Sequence, residues 1–309
     1  MPELPEVECV RRGLAKQLIG RRIEAVKVRR VDVVRGIRDG SALLGEHTIE
    51  RIDRHGKQLA LVAERAHHGG PRPCVVIHLG MSGQLRLSST NRRLPTTPIR
   101  RPIPETSSPD PKISPAPAHC HVIWQFAGNT ELRFIDPRRF GGVWTFTDTR
   151  ERDQQRWSAL GPDGLSVTPG QLRRALLATR RPIKAALLDQ QVVAGLGNIY
   201  VDELLFRCGL HPLTPANQIG PDQSARLCRA MRTLLTRAIE QGGSTLRDYV
   251  DASGQSGGYQ DKHQVYGRSG QRCARRPCRA MLKTGRVAGR TTVWCPRCQP
   301  REEFPTSRE

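Results

Sequence analysis

The sequence contains no run of 18 or more apolar residues, so no segment reads as a membrane-spanning helix. Its first twenty residues carry acids at Glu3, Glu6 and Glu8 and lack an apolar signal core. An intracellular, cytoplasmic protein with no membrane partner is therefore expected. Acidic residues are scarce: 29 Asp and Glu face 50 Lys and Arg, a formal net charge of +21. That excess points to a polyanionic partner, and without a membrane segment the polyanion reads as nucleic acid. A disulfide framework is missing too. Of nine cysteines, Cys9, Cys74, Cys120, Cys208 and Cys228 are scattered and read as small buried hydrophobes in a reducing compartment. The other four fall within 26 residues near the C-terminus. No internal repeat is visible.

What is present divides the chain. At 309 residues it is long enough for two compact domains with a remainder. Pro5 to Gly20 predicts one helix: Pro5 suits a first helical position, Val7, Val10, Leu14 and Leu18 recur at helical spacing, and Gly20 is a stop. Short β-rich runs follow at Ile23–Val28, Leu59–Val62, Val75–Leu79, Val122–Phe126, Leu132–Ile135 and Val143–Phe146, with a turn signal at Gly128-Asn129. Residues 1–150 thus predict a β-sandwich or barrel with a leading helix. Residues 88–118 interrupt it with eight prolines and nine Ser or Thr and no apolar periodicity, which predicts a disordered insertion. After Gly161 the pattern turns helical, with helices expected at Leu172–Leu177, Ile183–Asp189, Val201–Cys208 and Ser224–Gln241, ended by Gly209 and Gly242. Residues 151–261 form this helical unit, 262–299 hold the cysteine cluster, and 300–309 are a tail.

The N-terminus reads Met1-Pro2-Glu3-Leu4-Pro5-Glu6-Val7-Glu8. Helix capping accounts for Pro5, Glu6 and Glu8 but leaves Pro2-Glu3 without a purpose. A chain beginning Met-Pro usually loses its Met, which exposes a secondary amine at Pro2. An α-amino group has a pKa of roughly 8 against roughly 10.4 for lysine, so it is far more often neutral and nucleophilic. Attack on the C1′ of a nucleotide would expel the base, and Glu3 could move the protons that sugar-ring opening requires. Farther along, Cys273-x4-Cys278, sixteen residues, then Cys295-x2-Cys298 reads as a four-thiolate site for one structural Zn2+. The segment between, turning at Thr284-Gly285, suits a β-hairpin.

The opening resembles the start of the formamidopyrimidine-DNA glycosylase family. Further motifs carry the resemblance: His78–Gly83, Asp136–Gly141, Gly195–Tyr200, Gln264–Arg268 and the cysteine cluster, in the family's order. The resemblance implies an α/β multidomain protein. It would combine an N-terminal β-sandwich, a helix–two-turn–helix domain and a zinc-finger β-hairpin, acting as a monomer on double-stranded DNA that contains oxidised purines. It implies that 8-oxoguanine and formamidopyrimidines are excised and the strand nicked by β,δ-elimination. By resemblance Pro2 is the Schiff-base nucleophile, Glu3 the acid that helps open the sugar, and Glu6 a supporting carboxylate. Lys57 would serve proton transfer in β-elimination, and Arg290 would grip the phosphates and serve δ-elimination. Met81, Arg138 and Phe140 match side chains that fill the duplex when a nucleotide is flipped out, two apolar wedges and one multi-donor cation. Asn198 matches a phosphate-contacting position, with Arg180 and Arg181 upstream of it as further phosphate candidates, and His119 matches a DNA-contacting one.

The chain departs from the family at three places. Four residues rather than two separate Cys273 from Cys278, Cys120 stands where the family has an acid, and Gln255 stands where it often has a basic residue in a lesion-covering loop. Two alternatives stand beside this reading. An endonuclease VIII-like enzyme for oxidised pyrimidines is disfavoured by Leu4-Pro5 and Asp136–Gly141. A non-catalytic zinc protein that binds nucleic acid would need neither the Pro2 amine nor Glu3.

Overall fold

A computed structural model describes residues 1–65, 67, 69–89, 117–245 and 249–301. The first helix, α1 (Leu4–Leu18), starts where the acids and Pro5 predict: the Glu6 carboxylate turns back to accept the Glu3 backbone N–H at 2.9 Å. Gly20, at φ +79°, carries the chain out of it. Val7, Val10, Leu14 and Leu18 enter one hydrophobic core, whereas Leu4 enters another. One helix therefore stitches two cores together.

The first core lies between two sheets. One has the order β1 (Ile23–Val28), β7 (Cys120–Phe126), β8 (Thr130–Ile135), β6 (Gln84–Ser89). The other has β2 (Val34–Arg35), β9 (Gly142–Phe146), β5 (Cys74–His78), β4 (Gln58–Ala63), β3 (Ile49–His55). Trp124, Phe126 and Phe134 from one sheet meet Leu59, Leu61, Val75 and Ile77 from the other, with α1 at the edge. The opposite face of β4 and β5 is also covered: Ala60, Val62, Cys74 and Val76 pack near Trp157, in the turn after α2 (Thr149–Arg152). Burial on both faces explains why these two strands read as unbroken apolar runs.

All six expected strands are present. Three more are not evident from the sequence: β2 has two residues, β3 is mostly charged with a bulge between Ile49 and Arg51, and β6 abuts the Pro-rich segment. Ser88 and Ser89 pair with Glu131 and Thr130, so the strand takes in the first two residues of the expected insertion. Residues 90–116, which carry nearly all of that expectation, lie outside the described residues.

The second core is helical, formed by α3 (Pro169–Leu177), α4 (Ile183–Leu188), α5 (Asn198–Cys208) and α6 (Pro221–Glu240). α5 and α6 begin three residues earlier than periodicity suggests, because Gly197 and Gly220 cap them and Pro221 opens the second. Beyond them β10 (Lys283–Val287) and β11 (Arg290–Trp294) form a hairpin. Its turn is Ala288-Gly289, both at positive φ, and not Thr284-Gly285, which are paired inside β10. A two-residue turn of that handedness matches the strand twist.

A buried ion pair ties this hairpin to the helices. Lys184 Nζ donates to Asp202 Oδ1 at 2.6 Å and to the Thr291 carbonyl at 3.1 Å, and Asp202 Oδ2 accepts the Val293 N–H at 3.1 Å. Removing one partner strands a charge in the interior. Lys184→Met is expected to destabilise the fold by about 3–5 kcal/mol, and the double variant Lys184→Met/Asp202→Leu to recover most of it. Denaturant midpoints of the two variants check this.

Candidate active site

Several sequence-singled residues converge on one cleft of about 510 Å³, lined by Met1, Glu3, Lys57, Met81, Asn198 and Arg290 together with His78 and Tyr266. Glu3 sits at its floor. The carboxylate accepts N–H groups from Gly197 at 2.7 Å, Ile199 at 3.0 Å and Tyr200 at 3.4 Å, the amides that open α5. A helix start is an anion site, and here the anion is internal. Gly197 is required: a Cβ there would overlap the Glu3 carboxyl group. Burial dominates the electrostatics of Glu3. It raises the carboxyl pKa from 4.5 to about 7, with Lys57 and the amides opposing and Glu6 adding to the rise.

Pro2 is buried, its nitrogen bonded to Met1, and Met1 itself lines the cleft. Glu6 lies behind Glu3, fully enclosed. It accepts hydrogen bonds from Tyr200 Oη at 2.6 Å, Ser244 N at 2.7 Å and Glu3 N. Burial raises its pKa as well.

Lys57 occupies the β3–β4 turn and is 7% exposed. Burial lowers its pKa, Glu3 and Glu6 draw it back up, and Arg290 lowers it further. The turn is clamped by charge. Arg54 donates to Glu8, Asp163 and the Gly56 carbonyl, while Asp163 accepts the Gly56 N–H at 2.8 Å. His78 completes this wall; burial pushes its pKa down to about 4, so it is neutral near pH 7.

Met81 and Phe140 are exposed, 38% and 56%, which excludes a core role for either. Arg138 is exposed with its guanidinium 4.7 Å above the Phe140 ring. The buried Asp136 unites their loops, accepting from Ser82 Oγ at 2.7 Å and Gly141 N at 2.8 Å. Gly80 is pressed so closely on Phe140 and Gly141 that no Cβ would fit.

Arg290 begins β11, exposed, immediately after the hairpin turn. Asn198 Nδ2 donates to the Thr291 carbonyl at 2.9 Å, joining the start of α5 to that hairpin. Two expected positions lie elsewhere. His119 lines a second, basic concavity of about 420 Å³ with Arg29, Arg30 and Arg139. Arg180 is exposed between α3 and α4 and lines neither concavity. Gln255 is exposed in a loop that turns on Asp251.

The four clustered cysteines meet. Their sulfurs lie within 4.8 Å of one another, with Cys273–Cys298 at 3.8 Å and Cys278–Cys295 at 3.6 Å. Tetrahedral thiolate coordination at roughly 2.3 Å puts sulfurs about 3.8 Å apart. The donor set therefore fits one metal ion despite the four-residue gap. Arg275, inside that gap, donates to the Phe206 and Arg207 carbonyls at 2.7 and 2.9 Å and so covers the C-terminal end of α5.

Sequence reasoning gave no role to Tyr200, Ser244, Asp163, Lys184 or Asp202. Lys184 and Asp202 did leave a signal, each a charge inside an apolar run. Among the described residues no helix is long and apolar enough to cross a membrane.

Comparison with known proteins places these features in a family. The formamidopyrimidine-DNA glycosylase N-terminal domain matches residues 1–143, and the formamidopyrimidine-DNA glycosylase H2TH domain matches residues 160–250. The formamidopyrimidine-DNA glycosylase of Acidiphilium cryptum is 40% identical over 306 residues, covering 97% of this chain and all of the relative. That of Geobacillus kaustophilus is 35% identical over 305 residues, with the same coverage. Among solved structures, the MutM (Fpg) protein from Thermus thermophilus is similar at a TM-score of 0.77 and 36% identity, covering 98% of this chain and all of that one. Lactococcus lactis Fpg in complex with DNA containing an abasic site is similar at 0.79 and 31%, covering 97% of this chain and all of that one.

Glu3 generates a pH dependence whose sign is fixed. Its folded pKa lies above the unfolded 4.5, so the folded state binds the extra proton, and stability falls as pH rises from about 4.5 through about 7. Glu3→Gln removes that loss. The variant is expected to gain stability relative to the parent between pH 5 and pH 8, as read by denaturant unfolding at both values. An equal difference at the two pH values would mean that Glu3 does not titrate in this window.

Proposed function

The chain belongs to the formamidopyrimidine-DNA glycosylase family, and from that premise we propose that it excises oxidised purines from duplex DNA and then nicks the strand as a lyase. The observation that carries this reading is the joining of Glu3, Lys57 and Arg290 in one cleft beside the N-terminal Met1-Pro2. Solved relatives were captured with damaged DNA: Lactococcus lactis Fpg is recorded with DNA containing an abasic site and with N7-benzyl-Fapy-dG DNA.

Once Met1, which lines the cleft, is removed, the Pro2 nitrogen is a secondary amine beside that cleft. Its lone pair attacks C1′ of the damaged nucleotide, the C1′–N bond breaks, and the base departs with the electron pair and takes up the proton that the amine releases. Glu3, near pKa 7, is protonated in a sizeable fraction at neutral pH and can deliver a proton to the sugar ring oxygen. Ring opening leaves an iminium between Pro2 and C1′. Lys57, its pKa lowered by burial, is suited to the proton transfers of β-elimination. Arg290 serves phosphate binding and δ-elimination. Glu6 supports Glu3 from behind.

Met81, Phe140 and Arg138 are assigned to the duplex: two apolar side chains fill the space of the flipped nucleotide and a cation meets its orphaned partner. Their exposure on loops pinned by Asp136 supports this use, because an apolar side chain held in solvent is stabilised only when a partner covers it. Asn198 and Arg180 are assigned to phosphates, and His119 to another DNA contact. The metal held by the four cysteines is assigned as zinc. Thiolates bind it tightly, and with all four positions taken by protein its role is structural.

Borohydride should trap a covalent complex between the protein and 8-oxoguanine DNA, with the adduct mapping to Pro2. An adduct at Lys57 instead, with Pro2→Gly fully active, would refute the assignment. Elemental analysis should find about one zinc per chain, and Cys278→Ser should lower both metal content and DNA affinity. Full DNA affinity in metal-free protein would end the zinc assignment.

A further inference from the structure

Two buried carboxylates adjoin at this site, and Glu3 can act as an acid only if it, rather than Glu6, holds the proton they compete for. Their hydrogen-bond partners differ in kind. Glu3 accepts from amides alone and faces the cleft. Glu6 Oε1 accepts the Ser244 N–H at 2.7 Å and meets the Tyr200 hydroxyl at 2.6 Å, while its Oε2 accepts the Glu3 N–H at 2.9 Å. The 2.6 Å separation is in the range of a hydroxyl donating to an anion.

Behind Tyr200 the contacts continue: Tyr200 Oη to Ser244 Oγ at 3.2 Å, then Ser244 Oγ to His263 Nε2 at 3.1 Å. Each hydroxyl has one proton to give, so the row can run in two senses. In one, His263 Nε2–H donates to Ser244, Ser244 to Tyr200 and Tyr200 to an ionised Glu6. In the other, a protonated Glu6 donates to Tyr200, and the row ends on a bare Nε2 with the proton on Nδ1. On Glu6 both oxygens are taken by donors, Ser244 N–H and the Tyr200 hydroxyl on one and Glu3 N–H on the other, and the amides offer no acceptor to a carboxyl proton, which favours the first sense. Glu3 also accepts amides, but it has no hydroxyl donor and lines the cleft, where a proton can be exchanged.

We propose that Tyr200, backed by Ser244 and His263, is a positioning residue that keeps Glu6 ionised and thereby leaves the working proton on Glu3. The proposal rests on the glycosylase reading above for its purpose, though not for its geometry. Other groups around the row are consistent with it. Glu6 is faced by Glu3 and Cys9 from its own helix, by Lys57 from the β3–β4 turn and by Tyr249, whose hydroxyl donates to the Glu6 carbonyl at 3.2 Å. His263 is faced by the carboxylates of Glu203 and Asp261 and packed edge-on against Tyr259 and Tyr266, with Arg268 donating to its carbonyl. Burial keeps the imidazole neutral, so its tautomer is the variable that reports the sense of the row.

The experiment uses the full chain free of DNA, with 15N-labelled histidine and 13C-labelled glutamate carboxyls, followed by nuclear magnetic resonance across pH. His263 is expected as the Nε2–H tautomer near pH 7, with Glu3 taking up its proton at higher pH than Glu6. In Tyr200→Phe the acid dissociation of Glu6 should weaken by about tenfold, and Glu3, relieved of a neighbouring charge, should ionise at lower pH. The alkaline limb of single-turnover excision should then move to lower pH by a similar factor. Ser244→Ala, which keeps the amide donor and removes only the hydroxyl, should move both in the same direction by less, and serves if Tyr200→Phe does not fold.

An Nδ1–H tautomer in the parent protein overturns the proposal. So do carboxyl titrations that stay in place in both variants, or slower excision with an unmoved pH limb, which would mark a merely structural role. The titrations need no catalysis. A parent protein that neither excises nor is trapped on 8-oxoguanine DNA would refute the glycosylase reading while the titrations still decide the row.

Discussion

The carboxylate of Glu3 rests on the amides that open α5, and the geometry around the cleft depends on that contact. It joins the third residue of the chain to residues 197–200, so the N-terminus is held at the junction of the sandwich and the helical unit. The contact offsets the cost of burying a carboxylate with three N–H donors and the positive end of a helix. It does not offset all of it, and the balance appears as the elevated pKa. The residue that assembles the site is therefore also the one poised to exchange a proton near neutrality.

Other buried charges repeat this pattern at the seams. Arg54 and Asp163 fix the turn that carries Lys57 and bind it to α1 through Glu8. Lys184 and Asp202 fix the hairpin that carries Arg290. Asp136 fixes the two loops that hold Met81 and Phe140 in solvent. In each case a hydrogen-bonded charge specifies one arrangement of backbone. Apolar packing alone would tolerate several. The cores supply stability, and these polar clamps supply register between elements far apart in sequence.

The cysteine cluster belongs to the same scheme. The four residues between Cys273 and Cys278 do not spread the sulfurs, and one of them, Arg275, donates to the carbonyls at the end of α5. α5 is thus held at its start by Glu3 and at its end by the cysteine knuckle.

Much of this was legible in the sequence. The periodicity of Val7, Val10, Leu14 and Leu18 marked α1, six apolar runs marked six strands, and four spaced cysteines marked a metal site, because each pattern lies within its own segment whatever that segment later packs against. Strand β3 was not legible. Its charges look like a solvated segment until Glu8 and Asp163, distant in sequence, are seen to neutralise Arg54. Tyr200 looked like part of a motif, and nothing near it in sequence announced that Glu6, Ser244 and His263 would converge on its hydroxyl. Composition and spacing determined the classes of element, the Pro2-Glu3 pair and the metal site, and the other site residues came from the family resemblance. Tertiary structure alone decided which charges are buried, which carboxyl holds the proton and which apolar side chains stay in solvent, because each depends on desolvation and on donors contributed by segments up to 238 residues away.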